Sequence, residues 1–522
     1  AGSRRIDEDG GSTFSYEDPE AEASVNLRYA LTSTSAAELT VNPDFSQIES
    51  DVARIDVNTT FALSYPEQRP FFQEGSDLYS TWIPAVYTRS INEPDGAAKF
   101  TGTFGRTAVL YLIARDRNSP ILIPGEEGSH EPLVRDGIRD LRSVSQIVRL
   151  RRMFGQQSHL GLTLTDRRFQ ENCGGVGTLL GVDAQIRLLG RWLLRLQALA
   201  SRTTEPDDTL LTAGLNQVTF AEGAHTLGFD GETLYGHGLY AYLERESRHS
   251  IAAIEYTAAS PAFRADNGYV DQNSLRRLTL VGGARGMPNR ELLQGWGAFV
   301  HASRRWNSAG LLKEDWIKPE VELTLTRQIG VELGWIGSRE RFAGRRFDDL
   351  TRVYLELSAQ PNEVVSLSGE IDGGRALARD PARPRTADAV SAGLSASFRV
   401  LRRIDLSPRV SYYRLDERGG GANIYSGAIW RGRLKYQVSR AIAARLVVQY
   451  DTFVDRLDLE PLLTCRLNPF TVFYVGAVGH QTRYASGAGG DPDDPGDPGL
   501  PEDRWKPDAR QYFAKVQFLW RI

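Results

Sequence analysis

Residues 514–522 read AKVQFLWRI, and this stretch decides the fold class. Apolar side chains alternate there with mostly polar ones: Ala514, Val516, Phe518, Trp520 and Ile522 against Lys515, Gln517, Leu519 and Arg521. A period of two places successive side chains on opposite faces of a β-strand. The stretch therefore predicts a strand with one face in an apolar environment and the other face toward water.

The same alternation recurs along the chain, around residues 192–198, 321–326, 430–438 and 445–451. Many of these patterns extend over about 10 to 14 residues, whereas strands of soluble proteins average about 5 or 6 and a tilted membrane strand needs about 9 to 11. Their length favours strands that cross a membrane.

Connections between the patterned stretches alternate between short and long. The short ones lie at residues 103–106, 154–157, 189–191, 245–249, 327–330, 438–440 and 466–469. The long ones lie at 116–142, 203–232, 259–275, 305–316, 337–349 and 372–387, followed by an acidic, Gly- and Pro-rich stretch at 482–509. Bacterial outer-membrane barrels have short periplasmic turns and longer external loops.

These patterns predict an all-β protein, a transmembrane antiparallel up-and-down β-barrel in the bacterial outer membrane. We count about 24 strands, within a range of roughly 22 to 26. An even number places both termini in the periplasm and makes 482–509 a long acidic external loop. We expect residues 1–22 to be a flexible periplasmic segment and 23–522 to form the barrel.

Composition excludes several other classes. With 62 Lys and Arg against 66 Asp and Glu, the net charge of −4 gives no reason to expect nucleic acid as a partner. The sequence has no run of about 20 apolar residues, which a transmembrane helix requires. A soluble propeller or a series of sandwiches is the alternative, but we find no blade-length repeat, and Arg-rich strand faces favour water inside and lipid outside. The expected surroundings are outer-membrane lipid and lipopolysaccharide.

Two dense motifs interrupt the strand pattern, VNPDFSQIESD at 41–51 and YPEQRPFFQEGSD at 65–77. They are followed by VYTRSI at 86–91 and GAAKFTG at 96–102. Together these motifs resemble the barrel region of a bacterial outer-membrane family of unknown function, in which a carbohydrate-binding family 9-like domain often precedes the barrel. The resemblance starts near residue 23 and implies an outer-membrane β-barrel with no settled biochemical activity.

The motif region also suggests a plug. Our strand count makes 42–54 a periplasmic connection and 65–95 an external one. The aromatic residues in 65–95 are too apolar for a solvated loop, so we expect this segment to fold inward as a lumen plug. Arg69 and Arg89 are expected to pair with Glu67, Glu74 or Asp77. The candidate plug or motif residues are Asn42, Asp44, Phe45, Glu49, Asp51, Glu67, Arg69, Phe71, Phe72, Glu74 and Arg89.

The plug has two open interpretations, an ordered structural element held by ion pairs or a site for a ligand or partner. Catalytic chemistry is not indicated, because none of the seven histidines lies in a recognised catalytic motif. The acidic residues near Asp44 lack the spacing of an EF-hand. We therefore predict no enzymatic activity, no cofactor and no metal site.

Arginines on the presumed inner face are candidate lumen-lining residues: Arg149, Arg151, Arg195, Arg409, Arg431, Arg433 and Arg445. They would favour anions unless acidic residues on other strands cancel their charge. The leading hypothesis is a passage, or the membrane scaffold of a larger envelope complex, with a restricted lumen. The alternatives are a barrel hydrolase with loop-borne histidines, and a binding barrel that recruits a secreted protein or lipoprotein at the periplasmic or outer surface.

Overall fold

Long paired strands dominate the structure. The computed structural model describes residues 2–6, 12–16, 23–132, 141–155, 157–170, 174–288, 290–468, 470–484 and 504–518. Its first strands are β1 (Gly2–Ile6), β2 (Ser12–Tyr16), β3 (Val25–Thr32), β4 (Ser35–Val41), β5 (Pro94–Phe104), β6 (Thr107–Asp116), β7 (Ser143–Phe154), β8 (Ser158–Phe169), β9 (Val176–Leu188) and β10 (Trp192–Thr204). The next are β11 (Thr219–Phe220), β12 (His225–Thr226), β13 (Thr233–Glu246), β14 (Ser250–Ala259), β15 (Leu275–Gly286), β16 (Leu293–Trp306), β17 (Leu312–Leu325), β18 (Ile329–Phe342) and β19 (Arg345–Ala359). The last are β20 (Val365–Ala378), β21 (Arg385–Val400), β22 (Ile404–Glu417), β23 (Asn423–Gln437), β24 (Ile442–Asp451), β25 (Arg456–Asn468), β26 (Thr471–Tyr484) and β27 (Arg504–Phe518).

The helical elements are short. They are α1 (Pro70–Gln73), α2 (Ser76–Tyr79) and the 3₁₀ turns Thr88–Ser90, Ala221–Gly223 and Thr326–Gln328. Within the described ranges, no helix has both the length and the apolar character that crossing a membrane would require.

Among the described residues, the main sheet has 25 strands, and β11 and β12 form a separate hairpin. From β3 to β27 each strand of the main sheet pairs antiparallel with the next one in the chain, with β10 pairing directly with β13. β1 pairs with β27 and with β2, which brings the N-terminal strands beside the C-terminal strand. The all-β up-and-down barrel is therefore confirmed, and its strand number lies within the expected range.

The N-terminal stretch contributes two short strands beside β27. Its described parts are β1 and β2, and Gly2 lies opposite Arg510 of β27. The physical reason is that an edge strand presents unpaired N–H and C=O groups, which a neighbouring segment satisfies by adding to the ladder.

One face of the sheet carries an apolar belt that the protein does not cover. Leu434 on β23 is 38% exposed and lies directly opposite Leu446 on β24, which is 37% exposed. The next residue, Val447, turns to the other face and is 1% exposed. Exposed apolar side chains on other strands include Leu164, Val182, Leu280, Val321, Leu333 and Val353. Contact with lipid accounts for this exposure, and the protein is an outer-membrane β-barrel.

The connections at the two ends of the barrel differ in length as expected, although several loops are shorter than predicted. The turns at one end include residues 105–106, 189–191, 247–249 and 401–403, whereas the other end carries 117–142, 205–232 and 260–274. The predicted loops at 337–349 and 372–387 are mostly strand, because pairs such as Phe342 with Arg345 extend the ladder beyond the apolar belt. Most of the predicted loop at 482–509 lies outside the described residues.

The motif region is one connection, not two. β4 pairs directly with β5, with Val41 opposite Gly96, so residues 42–93 leave and re-enter the sheet at its long-loop end. We call residues 42–93 the inserted segment. The count that placed 42–54 and 65–95 at opposite ends is therefore wrong. Residues 55–63 alternate like a strand, but their partners are side chains and loops, so tertiary contacts override the local pattern.

Candidate functional site: the inserted segment and the lumen wall

Two short helical turns begin the densest part of the inserted segment. Pro70 starts α1, where its missing N–H costs nothing. Gly75 separates α1 from α2 with a φ of +75°, a conformation that suits glycine. A Cβ at Gly75 would lie 3.2 Å from Cγ2 of Thr101 on β5. The glycine therefore permits both the reversal of the chain and its close approach to the wall.

Apolar side chains fasten these turns to the first strands of the barrel. Phe72 and Ile91 of the inserted segment are fully buried, in one cluster with Leu110 and Leu112 of β6 and Ile147 of β7. Full burial of side chains of this size contributes about 1.5–3 kcal/mol each. The inner face of β6 is thus apolar where the segment covers it, whereas barrel lumens are ordinarily polar.

An ion pair closes the inserted segment on itself. Nη2 of Arg69 lies 2.7 Å from Oε2 of Glu67, and the same guanidinium donates to the carbonyl oxygens of Thr88 at 2.9 Å and Ile91 at 2.6 Å. The Arg69 guanidinium also lies 4.3 Å from the centre of the Phe72 ring. Burial alone would raise the pKa of Glu67, but the hydrogen bonds and charge of Arg69 hold it below its usual value.

Long polar side chains bind the segment to the wall formed by β5–β10, which we call the covered wall. Lys99 of β5 donates to the carbonyl oxygen of Glu74 at 3.0 Å and pairs with Glu38 at 3.1 Å. Arg149 of β7 donates from Nε to the carbonyl oxygen of Leu78 at 3.0 Å. On β10 the amide of Gln197 exchanges hydrogen bonds with the backbone of Ile83, at 2.7 Å and 3.1 Å.

The first part of the segment is bound to strands near the other end of the sheet order. Arg431 of β23 pairs with Glu49 at 2.8 Å. Arg445 of β24 donates to the carbonyl oxygen of Gln47 at 3.2 Å. Lys515 of β27 lies 3.2 Å from the carboxylate of Asp44. Burial alone would raise the pKa of Asp44, but hydrogen bonds from Ser46 and the charge of Lys515 lower it.

The middle of the segment is bound to a third region. Nδ2 of Asn58 donates to the carbonyl oxygen of Leu377 at 2.9 Å and to the Tyr413 hydroxyl at 3.1 Å. The hydroxyl of Thr60 donates to the carbonyl oxygen of Glu127, which lies in the long loop between β6 and β7. The segment thus contacts strands from β5 to β27, and it crosses the space that the sheet surrounds.

The predicted pairings are partly correct. Arg69 pairs with Glu67 as expected, but Arg89 pairs with Asp51, which the sequence analysis did not consider. Glu74 pairs with Arg28 of β3 and Asp77 pairs with Arg151 of β7. Two of the predicted carboxylates therefore form ion pairs with arginines of the strands and not with Arg69 or Arg89. The remaining motif residues also make local contacts.

Among these motif residues, Asn42 donates to the carbonyl oxygen of Ala23 at 3.3 Å. Phe45 and Phe71 pack against the cluster of Phe72.

The other candidate arginines differ in their surroundings. Arg433 lies 3.8 Å from Glu49, at the edge of the Arg431 pair. Arg195 donates to Gln185 at 3.1 Å and lies 5.2 Å from the centre of the Tyr242 ring. Arg409 lines a cavity on β17–β22. Several of the predicted lining charges are therefore satisfied by the inserted segment or by the wall itself.

A row of glutamates lies on β17–β20, within the part of the wall that we call the open wall (β17–β21). Glu322 of β17 is directly opposite Glu332 of β18, which is opposite Glu356 of β19, which is opposite Glu370 of β20. All but Glu332 are exposed. Their strand neighbours Val321, Leu333 and Leu357 belong to the outer belt, so the glutamates face the lumen. Sequence reasoning missed this row because it depends on the register of four strands.

Two cavities border this side of the lumen. One, of about 520 Å³, is lined by Glu322, Glu356, Glu370, Arg409 and serines of the open wall. The second, of about 830 Å³, lies between residues 58–61 of the inserted segment and strands from β13 to β18, where its charged lining includes Glu255, Arg277, Arg305, Glu314 and Glu340. The inserted segment therefore fills the lumen unevenly.

Comparison with known proteins places the inserted segment within a recognised domain. Residues 12–98 match a domain of unknown function, DUF5916; the match includes β2, β3, β4, all of the inserted segment and the first part of β5. No curated protein matches the chain.

Solved structures with a similar arrangement are siderophore and iron receptors. A mutant of the ferric enterobactin receptor of Pseudomonas aeruginosa matches with a TM-score of 0.47 and 11% identity, over 75% of this chain and 73% of that one. The siderophore receptor PirA of Acinetobacter baumannii matches with a TM-score of 0.47 and 10% identity, over 81% of this chain and 78% of that one.

The motifs, the strand pattern and the domain match all point to the same family of β-barrels. The resemblance seen in the sequence is confirmed: residues 12–98 match the model of a domain of unknown function, and the chain folds as a β-barrel of the outer-membrane type.

Proposed function

We propose that this protein is an outer-membrane passage whose lumen is restricted by the inserted segment, which acts as a plug. The observation that carries the proposal is the attachment of this one segment to both β5–β10 and β23–β27. A barrel of about 24 strands without such a segment would enclose a wide channel. The plug leaves room beside the open wall and beside β13–β16, and it fills the space next to β5–β10.

The free space favours small cationic solutes. The row from Glu322 to Glu370 brings four carboxylates to the open wall, with Arg409 as the cation that shares their cavity. Arg149 and Arg431, in contrast, pair with Asp183 and Glu49. The row carries more carboxylates than the cations beside it, Arg409 and Lys318, and such an excess raises the local concentration of cations in a narrow aqueous space. The anion preference expected from the arginines is thus replaced by a cation preference.

Ion selectivity in a planar bilayer tests this proposal. In a KCl gradient, the residual conductance of the intact protein should reverse at a potential that favours K⁺ over Cl⁻. The double variant Glu356→Gln and Glu370→Gln should shift that potential toward zero, whereas Glu363→Gln, in the turn between β19 and β20, should leave it unchanged. An anion preference in the intact protein would contradict the proposed path.

The other roles stay predictions of the sequence. Copurification from detergent would identify a partner if the barrel is a scaffold or recruits a secreted protein or lipoprotein. For the hydrolase alternative, several strand-borne histidines lie beside a carboxylate, among them His159 at 3.4 Å from Asp183, His301 at 2.9 Å from Glu320 and His480 at 2.7 Å from Asp458. We further propose that both termini face the periplasm, which epitope tagging on intact cells would test.

A further inference from the structure

Three carboxylates meet at the base of the long loop between β10 and β13. Glu205, Asp230 and Glu232 each present an oxygen atom, and these atoms lie within 4.8 Å of one another. We propose that this carboxylate cluster binds one Ca²⁺ ion. The site is separate from the inserted segment and from the glutamate row.

The backbone brings the ligands together by continuing the strand ladder beyond β10 and β13. The N–H of Glu205 donates to the carbonyl oxygen of Glu232 at 3.0 Å. Asp207 and Asp230 form an antiparallel bridge, and the N–H of Asp208 donates to the carbonyl oxygen of Phe229 at 2.9 Å. The two ends of the loop are therefore fixed relative to each other, and the site does not depend on a mobile chain.

The buried carboxylate of Glu205 points to a ligand. Glu205 is 2% exposed, and its Oε1 pairs with Nη1 of Arg264, which is 4% exposed. Oε2 of Glu205 is buried and has no hydrogen-bond partner. A buried carboxylate oxygen without a donor is costly, and a cation placed between Glu205, Asp230 and Glu232 would satisfy it.

The other two carboxylates are held in position by loop donors. Nδ1 of His225 lies 2.9 Å from Oε2 of Glu232, and the N–H of Thr226 donates to Oε1 of the same residue at 3.3 Å. The Thr226 hydroxyl donates to Oδ2 of Asp230 at 3.4 Å. Such orienting hydrogen bonds are typical of the residues around metal ligands.

Charge and the irregular set of ligands favour calcium. Three carboxylates opposed by the guanidinium of Arg264 leave a charge of about −2, which one divalent cation balances. Calcium takes about six to eight oxygen ligands at about 2.3–2.6 Å in flexible geometry, so it accepts an irregular set of carboxylates. Magnesium requires shorter bonds, of about 2.0–2.1 Å, in near-ideal octahedral geometry. Three carboxylates from the two ends of one loop, with both oxygens of Glu232 also accepting hydrogen bonds, suit the more adaptable ion.

Equilibrium dialysis with ⁴⁵Ca²⁺ on the full-length folded barrel in detergent tests the proposal. The intact protein should bind calcium at one site that Asp230→Asn and Glu232→Gln each weaken by at least about tenfold, because each removes a charged ligand. Glu222→Gln changes an exposed carboxylate of the same loop outside the carboxylate cluster, and it should leave binding unchanged. Both ligand variants keep the Glu205–Arg264 pair, and circular dichroism confirms that each has folded.

Loop protection gives a second readout. Calcium should slow proteolysis within residues 209–224 of the intact protein and not of Asp230→Asn. Absence of calcium binding by the folded protein would overturn the proposal, as would binding that neither ligand variant changes. Zinc binding that depends on His225, without calcium binding, would overturn it in favour of a different metal.

Discussion

The covered wall and the open wall follow the same strand rule but present opposite inner faces. On β6 the inward residues Leu110 and Leu112 are fully buried against the inserted segment, whereas on β19 and β20 the inward residues Glu356 and Glu370 are exposed. The outer faces are alike, since Leu164 on β8 and Val353 on β19 are both exposed apolar residues. The covered wall therefore combines buried apolar residues with polar residues that bind the inserted segment, such as Lys99 and Arg149, whereas the open wall presents exposed carboxylates to water.

The largest expected effect concerns this difference in burial. Leu112→Ala should reduce the free energy of unfolding by about 2–5 kcal/mol, because it leaves a cavity under the inserted segment. Glu356→Ala on the open wall should change it by no more than about 0.5 kcal/mol. Urea unfolding of both variants in lipid vesicles measures the two values. Equal losses would show that the two walls are not covered differently.

The outer faces should not distinguish the walls. Leu164→Arg and Val353→Arg should each cost about 2–4 kcal/mol near the bilayer midplane, because each buries a guanidinium in hydrocarbon. The same unfolding assay applies, with Arg433→Ala as an inward substitution that should cost less. A loss at only one of the two positions would mean that the apolar belt is not continuous around the barrel.

Acidification should weaken the attachment of the inserted segment to the covered wall. We expect this effect to be the smallest of the three because it involves the protonation of a single carboxylate, Glu67. Arg69 holds the pKa of Glu67 below its ordinary value of 4.5, so the pair stabilises the segment fully above that pH. This contribution is lost as the pH falls through the lowered pKa. Protease cleavage within residues 65–91 should therefore increase on acidification below about pH 4.5.

Glu67→Gln is the matched control for the acid effect, since it lacks the titrating group. Its cleavage should be greater than that of the intact protein at neutral pH and should change less on acidification. A parallel acid response in the two proteins would assign the loosening to other carboxylates, such as Asp44.

The fold could be predicted from the sequence because it depends on the local alternation of apolar and polar residues. The period of two at 430–438 is sufficient to assign Leu434 outward and Arg431 inward, and the structure has both. The same alternation wrongly predicts a strand at residues 55–63, where contacts with loops and wall side chains replace strand pairing. A local pattern cannot show which partner a segment will meet.

The candidate site was harder to predict from the sequence than the fold. Arg69 and Glu67 are two residues apart, so their pairing follows from proximity, whereas Glu49 and Arg431 are far apart in the chain and meet only in the folded barrel. The glutamate row requires the register of four strands, and the carboxylate cluster unites the two ends of one loop. Each of these depends on long-range geometry that composition and spacing do not encode.

Single-channel conductance with and without the plug tests the central claim most directly. The intact protein in a planar bilayer should conduct weakly, and deletion of residues 67–90 should raise the conductance severalfold in a barrel that circular dichroism shows to be folded, because the deletion uncovers the wall at β5–β10. A large, steady conductance in the intact protein would contradict the account. An unchanged conductance in the folded deletion variant would contradict it equally, since the inserted segment would then not restrict the lumen.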